Sequence, residues 1–229
     1  MWPQRPELAG HADRLKWNAR YSGEFTPSFA AHPLAVQALT LPLPDGPVLE
    51  LAAGPSGSAL LAAANGRPVT AVDASDVALR LLGEEAERRG LGALVTLVHA
   101  DLRQWVPDAD AYGMVLATGY WERAVFAAAA LAVAHGGLIA WEALTEQARA
   151  VRPQLPAEWC VGAGEPASLL PAGYAVIDQS DVADGPVPRR RLLARRVVKD
   201  PMDASRRRRP AAGSRSHRDQ VTTADLDGH

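Results

Sequence analysis

The stretch Val48-Leu49-Glu50-Leu51-Ala52-Ala53-Gly54-Pro55-Ser56-Gly57 decides how the chain is read. An apolar run ends in a turn of small residues, and the Ala/Leu-rich segment Ser58 to Ala64 follows. That order spells buried strand, tight turn, helix. A helix that starts after a glycine turn offers free backbone N–H groups and a partial positive charge. Gly54 lets backbone approach a ligand where a Cβ would collide. The next apolar run, Pro68 to Val72, ends in Asp73, 19 residues after Gly54. A carboxylate there suits two ribose hydroxyls, as in doubly wound nucleotide sites. An ordinary strand–helix–strand unit with a surface Asp carries the same pattern, so the neighbouring segments must decide.

Outward from that core the pattern alternates. Strands are expected at 48–52, 68–72, 94–98, 112–117 and 138–143, with helices at 57–65, 76–89 and 122–134 between them. Gly90 reads as the C-cap of the second of these helices, and Gly136-Gly137 as the turn before the fifth strand. The strands are apolar with little alternation, as a sheet covered on both faces requires. The expectation is an α/β fold with a doubly wound, mostly parallel sheet. Two further strands, Tyr174 to Val182 and Arg189 to Val198, are joined by the short Ala183-Asp184-Gly185-Pro186-Val187-Pro188 link, which suits an antiparallel pair. Upstream, His11 to Tyr21 reads as a short helix, and Ser28 to Leu39 as a second helix that Pro33 bends or interrupts. Residues 146–170 are Pro-rich and irregular, with one short helix near Glu165 to Leu170.

In an open α/β sheet a ligand sits beyond the carboxyl ends of the strands. Four such ends carry candidate groups: Glu50 to Gly54, Asp73 with Ala74, Asp101-Leu102, and Thr118 to Glu122. Carboxylates after the second and third strands are compatible with one nucleoside. Asp73 would hold the ribose, and Asp101 the exocyclic amine of adenine, with the Leu102 backbone N–H on a ring nitrogen. Each Asp alone is as readily a helix cap or a solvated loop residue.

Taken together, residues 48–145 resemble a class I S-adenosylmethionine-dependent methyltransferase, nearest to the small tellurite-resistance-type proteins. Glu50-Leu51-Ala52-Ala53-Gly54 resembles their glycine motif, Val69 to Ser75 their second motif, and His99-Ala100-Asp101-Leu102 the third. Arg14-Leu15-Lys16-Trp17-Asn18-Ala19-Arg20-Tyr21 is similar to their Trp-Asn-x-Arg-Tyr opening, and the match spans about residues 11–198. The resemblance implies a Rossmann-like, seven-stranded methyltransferase fold with an antiparallel C-terminal strand, and S-adenosyl-L-methionine as cofactor. It implies that Glu50 lies near the methionine amino group, with Ala52 and Gly54 lining the turn. Asp73 and Ala74 would flank the ribose, Asp101 and Leu102 the adenine, and Thr118 and Gly119 the methionine and methyl. Trp17, Arg20 and Tyr21 would fold over the cofactor. Plain packing of an N-terminal helix explains Trp17 and Tyr21 equally well.

The methyl acceptor would be a small molecule. Tyr120, Trp121, Glu122 and Glu142 are the groups to examine near the methyl, with Tyr120 and Glu122 as catalytic candidates. Core packing of Trp121 and Trp141, and helix capping by Glu122, are the plain alternatives. The glycine pattern departs from the family, since alanine stands at 52 and serine at 56 and 58. Two rival readings remain: a nicotinamide-dependent oxidoreductase, since Ala52-x-Gly54-x-x-Gly57 is a degraded dinucleotide pattern, and a cofactor-binding protein without turnover.

Composition frames these readings. The chain has 229 residues, 48% hydrophobic and 22% charged, with a net charge of −2. That is enough for one α/β domain. Cys160 is the only cysteine, so neither an internal disulfide nor a cysteine metal cluster is expected. No His/Cys/carboxylate spacing suggests a metal. No apolar run approaches the ~18 residues of a membrane helix, and Met1 to Pro6 lack an apolar signal core, so a cytoplasmic protein without membrane contact is expected. The domain reading is a flexible N-terminus at 1–10, a methyltransferase domain at 11–198, and a disordered, Arg-rich tail at 199–229. That tail carries seven basic and five acidic side chains, including Arg206 to Arg209. The body is then mildly acidic and presents no clear nucleic-acid site. Nothing in the sequence speaks to oligomeric state.

Overall fold

The computed structural model describes residues 5–23, 25–182 and 185–198. At its centre β1 (Val48–Leu51) lies parallel between β2 (Val69–Asp73) and β4 (Tyr112–Thr118). β3 (Val95–His99) adds parallel to β2, and β5 (Val133–Thr145) parallel to β4. β8 (Arg189–Arg196) then runs antiparallel to both β5 and β7 (Tyr174–Val182). The strand order is β3-β2-β1-β4-β5-β8-β7, and the two-residue β6 (Cys160–Val161) pairs with the end of β5 off that path. The switch in strand order falls between β1 and β4, where the first strand meets a strand from the other half of the chain.

The sheet separates two apolar layers because successive side chains point to opposite faces. Leu49, Leu51, Val115, Ala117, Ile139 and Trp141 face α5 (Arg123–Ala132), where Trp121, Phe126 and Trp141 meet edge to face or tilted. Val48, Met114, Leu116, Leu138 and Ala140 face α2 (Pro33–Leu39) and α3 (Gly57–Ala64), joined by Leu82 and Ala86 of α4 (Asp76–Arg88). Small residues let α3 pack closely. A Cβ at Gly57 would stand 2.3 Å from the Phe29 carbonyl oxygen, so only glycine admits the chain that crosses there.

Three expectations about elements differ from the structure. Of Ser28 to Leu39 only the second part is helical: Pro33 does not bend a helix but begins one, and the chain is extended to His32. Proline pushes the residue before it out of the helical region and is itself at home in the first turn. His32 accordingly has ψ 138° and caps the helix through its ring, which accepts from the Leu34 N–H. β5 begins at Val133, not after the Gly136-Gly137 turn, and these glycines form an irregularity inside the strand. Gly137 is pressed on Gly113, whose carbonyl oxygen a Cβ would meet at 2.7 Å. Finally, the irregular stretch after Thr145 contains a four-residue helix α6 (Ala148–Val151), a 3-10 turn at Ala157–Trp159 and β6.

Within the expected loose N-terminus, Pro6–Leu8 forms a 3-10 turn and Leu8 is buried. α1 (Ala12–Tyr21) docks on α4: Arg14 makes two hydrogen bonds to the Asp76 carboxylate, at 2.7 and 3.2 Å, and Asn18 a third at 2.7 Å. No helix among the described residues is long and apolar enough to cross a membrane. The expected disorder of 199–229 lies outside the described residues.

Candidate functional site

A cavity of about 240 Å³ opens beyond the carboxyl ends of the parallel strands. Its floor comes from four successive strand ends: Ala52 after β1, Asp73 and Ala74 at β2, Asp101 and Leu102 after β3, and Thr118 and Gly119 at β4. Asp13, Lys16, Trp17 and Tyr21 of α1 cover one side, a single helix face at three- and four-residue spacing. Tyr120, Trp121, Glu122, Leu144 and Trp159 form the rest of the wall with Arg103.

Asp73 is 7% exposed, and each of its oxygens accepts a backbone hydrogen bond, Oδ2 from Gly54 N–H at 2.8 Å and Oδ1 from Ser75 N–H at 2.7 Å. Burial outweighs these donors and pushes the carboxyl up from 3.8 to about 6. A carboxylate has room for about four donors, so acceptor capacity is left for a ligand. Asp101 differs. Burial alone would raise it, but the Arg103 backbone N–H and guanidinium hold it below the usual range. Its other oxygen lies 3.4 Å from His11 Nε2. Arg103 in turn pairs with Asp13 at 3.1 Å, tying α1 to the end of β3.

Tyr21 lies across the glycine turn: its hydroxyl would stand 3.1 Å from a Cβ at Gly54. Burial and then the nearby Asp73 carboxylate push that phenol up to about 12. Trp17 stacks on it at 5.9 Å and Phe25 meets it edge-on at 5.1 Å, so three aromatic rings form a strap beside the turn. On the opposite wall, burial followed by Glu122 raises the Tyr120 phenol to about 12 as well. Trp121 is buried, and its Nε1 donor has no partner among the described residues.

Of the residues singled out in the sequence, Trp17, Tyr21, Ala52, Asp73, Ala74, Asp101, Leu102, Thr118, Gly119, Tyr120 and Glu122 line this cavity; Arg20, Glu50 and Gly54 do not. Arg20 is exposed and lies over the outer face of Trp17 at 5.9 Å. Both Glu50 oxygens accept from the Ser56 hydroxyl at 2.8 Å, which turns the carboxyl towards the start of α3. Ser56 also caps that helix by accepting from the Ser58 and Ala59 N–H groups. Gly54 contributes its N–H to Asp73.

Glu142, examined in the sequence as a group near the methyl, faces the other way. It shares a face with Leu138 and Ala140 and is held by His32 at 3.2 Å, Arg191 at 2.6 Å and Arg189 at 3.5 Å. Both ring nitrogens of His32 are engaged, one by Glu142 and one by the Leu34 N–H, so this cluster fixes α2 on the sheet. Sequence reasoning missed Asp13, Lys16, Arg103, Leu144 and Trp159. The spacing from Trp17 and Tyr21 marks Asp13 and Lys16 as neighbours on one helix face, whereas Trp159 sits in irregular chain with no periodic signal.

No protein-family model matches the chain, and no curated protein matches it in sequence. Solved structures do. A protein solved in work on the conversion of a disulfide bond into a thioacetal group during echinomycin biosynthesis is 19% identical, with a TM-score of 0.62 over 85% of this chain and 97% of that one. TehB from Haemophilus influenzae is 15% identical, with a TM-score of 0.62 over 78% of this chain and 66% of that one. Magnesium protoporphyrin IX methyltransferase from Synechocystis PCC 6803, with bound SAH, is 15% identical, with a TM-score of 0.56 over 71% and 79%. At these identities the likeness is one of fold: a mostly parallel, Rossmann-like methyltransferase sheet closed by an antiparallel strand.

Proposed function

We propose that the protein transfers a methyl group from S-adenosylmethionine to a small-molecule acceptor. One observation carries the reading: a single cavity gathers Asp73, Asp101-Leu102 and Thr118-Gly119 from three successive strand ends, under an aromatic helix face. The residues fit the cofactor. Asp73 has acceptor capacity left beyond its backbone donors, and Leu102 has an apolar side chain for a base. At about 240 Å³ the cavity is somewhat smaller than the ~300–1,000 Å³ span of small-ligand clefts.

In this reading Asp73 holds the ribose hydroxyls, Asp101 and Leu102 the adenine, and Ala52, Thr118 and Gly119 the methionine portion, with Trp17 and Tyr21 above. Bound S-adenosylmethionine would supply an activated methyl group on a sulfonium centre. The chain's own contribution is then positioning and exclusion of water. The aromatic walls Trp17, Trp121 and Trp159 orient the acceptor. Glu122, which has no ion-pair partner among the described residues, takes the acceptor proton when the acceptor is a hydroxyl or amine. Tyr120, with its phenol pushed up to about 12, stays protonated and serves as a hydrogen-bond donor.

The test is release of S-adenosylhomocysteine from S-adenosylmethionine in the presence of pooled small-molecule acceptors. The expected result is acceptor-dependent release that Asp73→Ala abolishes and Glu122→Gln slows about 100-fold, within the usual range for removing a general base. Release that ignores Asp73→Ala refutes the assigned cavity.

A further inference from the structure

We propose that Lys16 reads an anionic group on the acceptor, so that the substrate is an aromatic carboxylate; this rests on the methyltransfer reading above. Most charges around the cavity are already answered from within the chain. Asp13 and Asp101 both engage Arg103. Asp73 accepts two backbone N–H groups. Two lining residues, Lys16 and Glu122, have no opposite charge at ion-pair distance among the described residues. Lys16 is instead held by ring faces, its Nζ 4.5 Å from the Trp159 centroid and 5.2 Å from that of Trp17.

An ammonium between two indoles is held at the cavity wall without being neutralised. A carboxylate arriving there gains a charge-assisted hydrogen bond and does not have to break an existing ion pair. Beyond the two indoles the same cavity is lined by Trp121, Tyr120 and Leu144, which favour a flat apolar body over a flexible polar one. Lys16 comes from α1 and Trp159 from the segment after β5, so the ammonium bridges the strap and the wall that flank the acceptor. Glu122 is the complementary group for a hydroxyl or amine proton on the same ring. The pair sets a polarity: anion at Lys16, reacting atom at Glu122.

Matched probes test this in the full chain saturated with S-adenosylhomocysteine. Calorimetry compares 4-hydroxybenzoate with 4-hydroxybenzamide, and indole-3-acetate with indole-3-acetamide. The expected result is a preference for each carboxylate of about tenfold or more, as one charged hydrogen bond provides. Lys16→Met should erase that preference and Lys16→Arg should keep it. Equal binding of acid and amide, or an undiminished preference in Lys16→Met, overturns the proposal. An equal loss of S-adenosylhomocysteine and carboxylate affinity in Lys16→Met also overturns it, by assigning Lys16 to the cofactor. If the wild type binds no S-adenosylhomocysteine, the methyltransfer reading fails by itself. The same probe pairs on the free chain then decide: a Lys16-dependent preference keeps the anion site, and no preference removes it.

Discussion

Ala52 holds a left-handed backbone, φ 49°, on the wall of the cavity. An L side chain in that region costs roughly 1–2 kcal/mol, and glycine in place of alanine costs roughly 0.5–1 kcal/mol in chain entropy. Ala52→Gly is therefore expected to raise Tm, by up to about 6 °C, and to tighten S-adenosylhomocysteine binding by removing a methyl from the floor. A fall in Tm measured by scanning calorimetry would contradict the strain at this position.

Two of the buried carboxyls, Glu50 and Asp73, lie above their ordinary range and set a pH dependence. Burial pushes Glu50 from 4.5 to about 8, against the Ser56 hydrogen bond, and pushes Asp73 from 3.8 to about 6. Both keep a proton in the folded chain where the unfolded chain has released it. The stability of the ligand-free protein then falls as pH rises from about 4 through 8. Thermal melts should show a lower Tm at about pH 8.5 than at about pH 5.5, and Glu50→Gln should flatten the upper part of that slope. Ligand affinity should run the other way. Ribose hydroxyls donate to ionised Asp73, so S-adenosylhomocysteine should bind more tightly as pH rises through 6. A flat affinity profile would detach Asp73 from the ligand.

Among the elements, α1 has the most consequence for function and the least core of its own. None of its residues is buried, and it is held by Arg14 and Asn18 on Asp76, by Asn18 on the Ser75 hydroxyl at 2.6 Å, and by Asp13 on Arg103. These polar ties place the Trp17 and Tyr21 rings over the cavity. Asn18→Ala should loosen α1 without unfolding the sheet. Hydrogen exchange should then accelerate in 12–21 alone, and S-adenosylhomocysteine affinity should drop about tenfold, the loss of one or two hydrogen bonds. Exchange that rises evenly across the sheet would show that α1 belongs to the core instead. The elements were legible where local chemistry is strong. Apolar runs ended by Gly54, Asp73 and Asp101 located β1 to β3 to within a residue, and Gly90 closed α4 as expected. The start of α2 is harder to read, because a proline inside an apolar stretch fits a bend, a break or a first helical turn, and here it is the first turn. β6 is two residues long and exists through its pairing with Leu144 and Thr145, a tertiary contact that no local pattern encodes.

At the scale of the whole molecule, the strand order does what the alternating sequence suggested. It brings four strand ends to one edge of the sheet and closes the far side with the antiparallel β7–β8 pair. Glycine turn, second-strand Asp and third-strand Asp-Leu were legible because each is a strand end, and strand ends are what such a sheet aligns. The direction of a side chain was not. Glu142 lies one strand from the cavity in sequence logic, yet the parity of β5 sends it to α2 and to Arg189 and Arg191. Glu50 turns to Ser56 because that serine, at the start of α3, supplies a hydroxyl within reach. Trp159 enters from irregular chain after the last parallel strand, so its place beside Lys16 is a product of the completed fold. The central claim, that this edge of the sheet holds S-adenosylmethionine, is tested most directly by calorimetric titration of the full chain with S-adenosylmethionine, S-adenosylhomocysteine, NADH and NADPH. Saturable binding of the first two, without the nicotinamides, is the predicted result. Binding of a nicotinamide nucleotide in their place, or of none of the four, would contradict it.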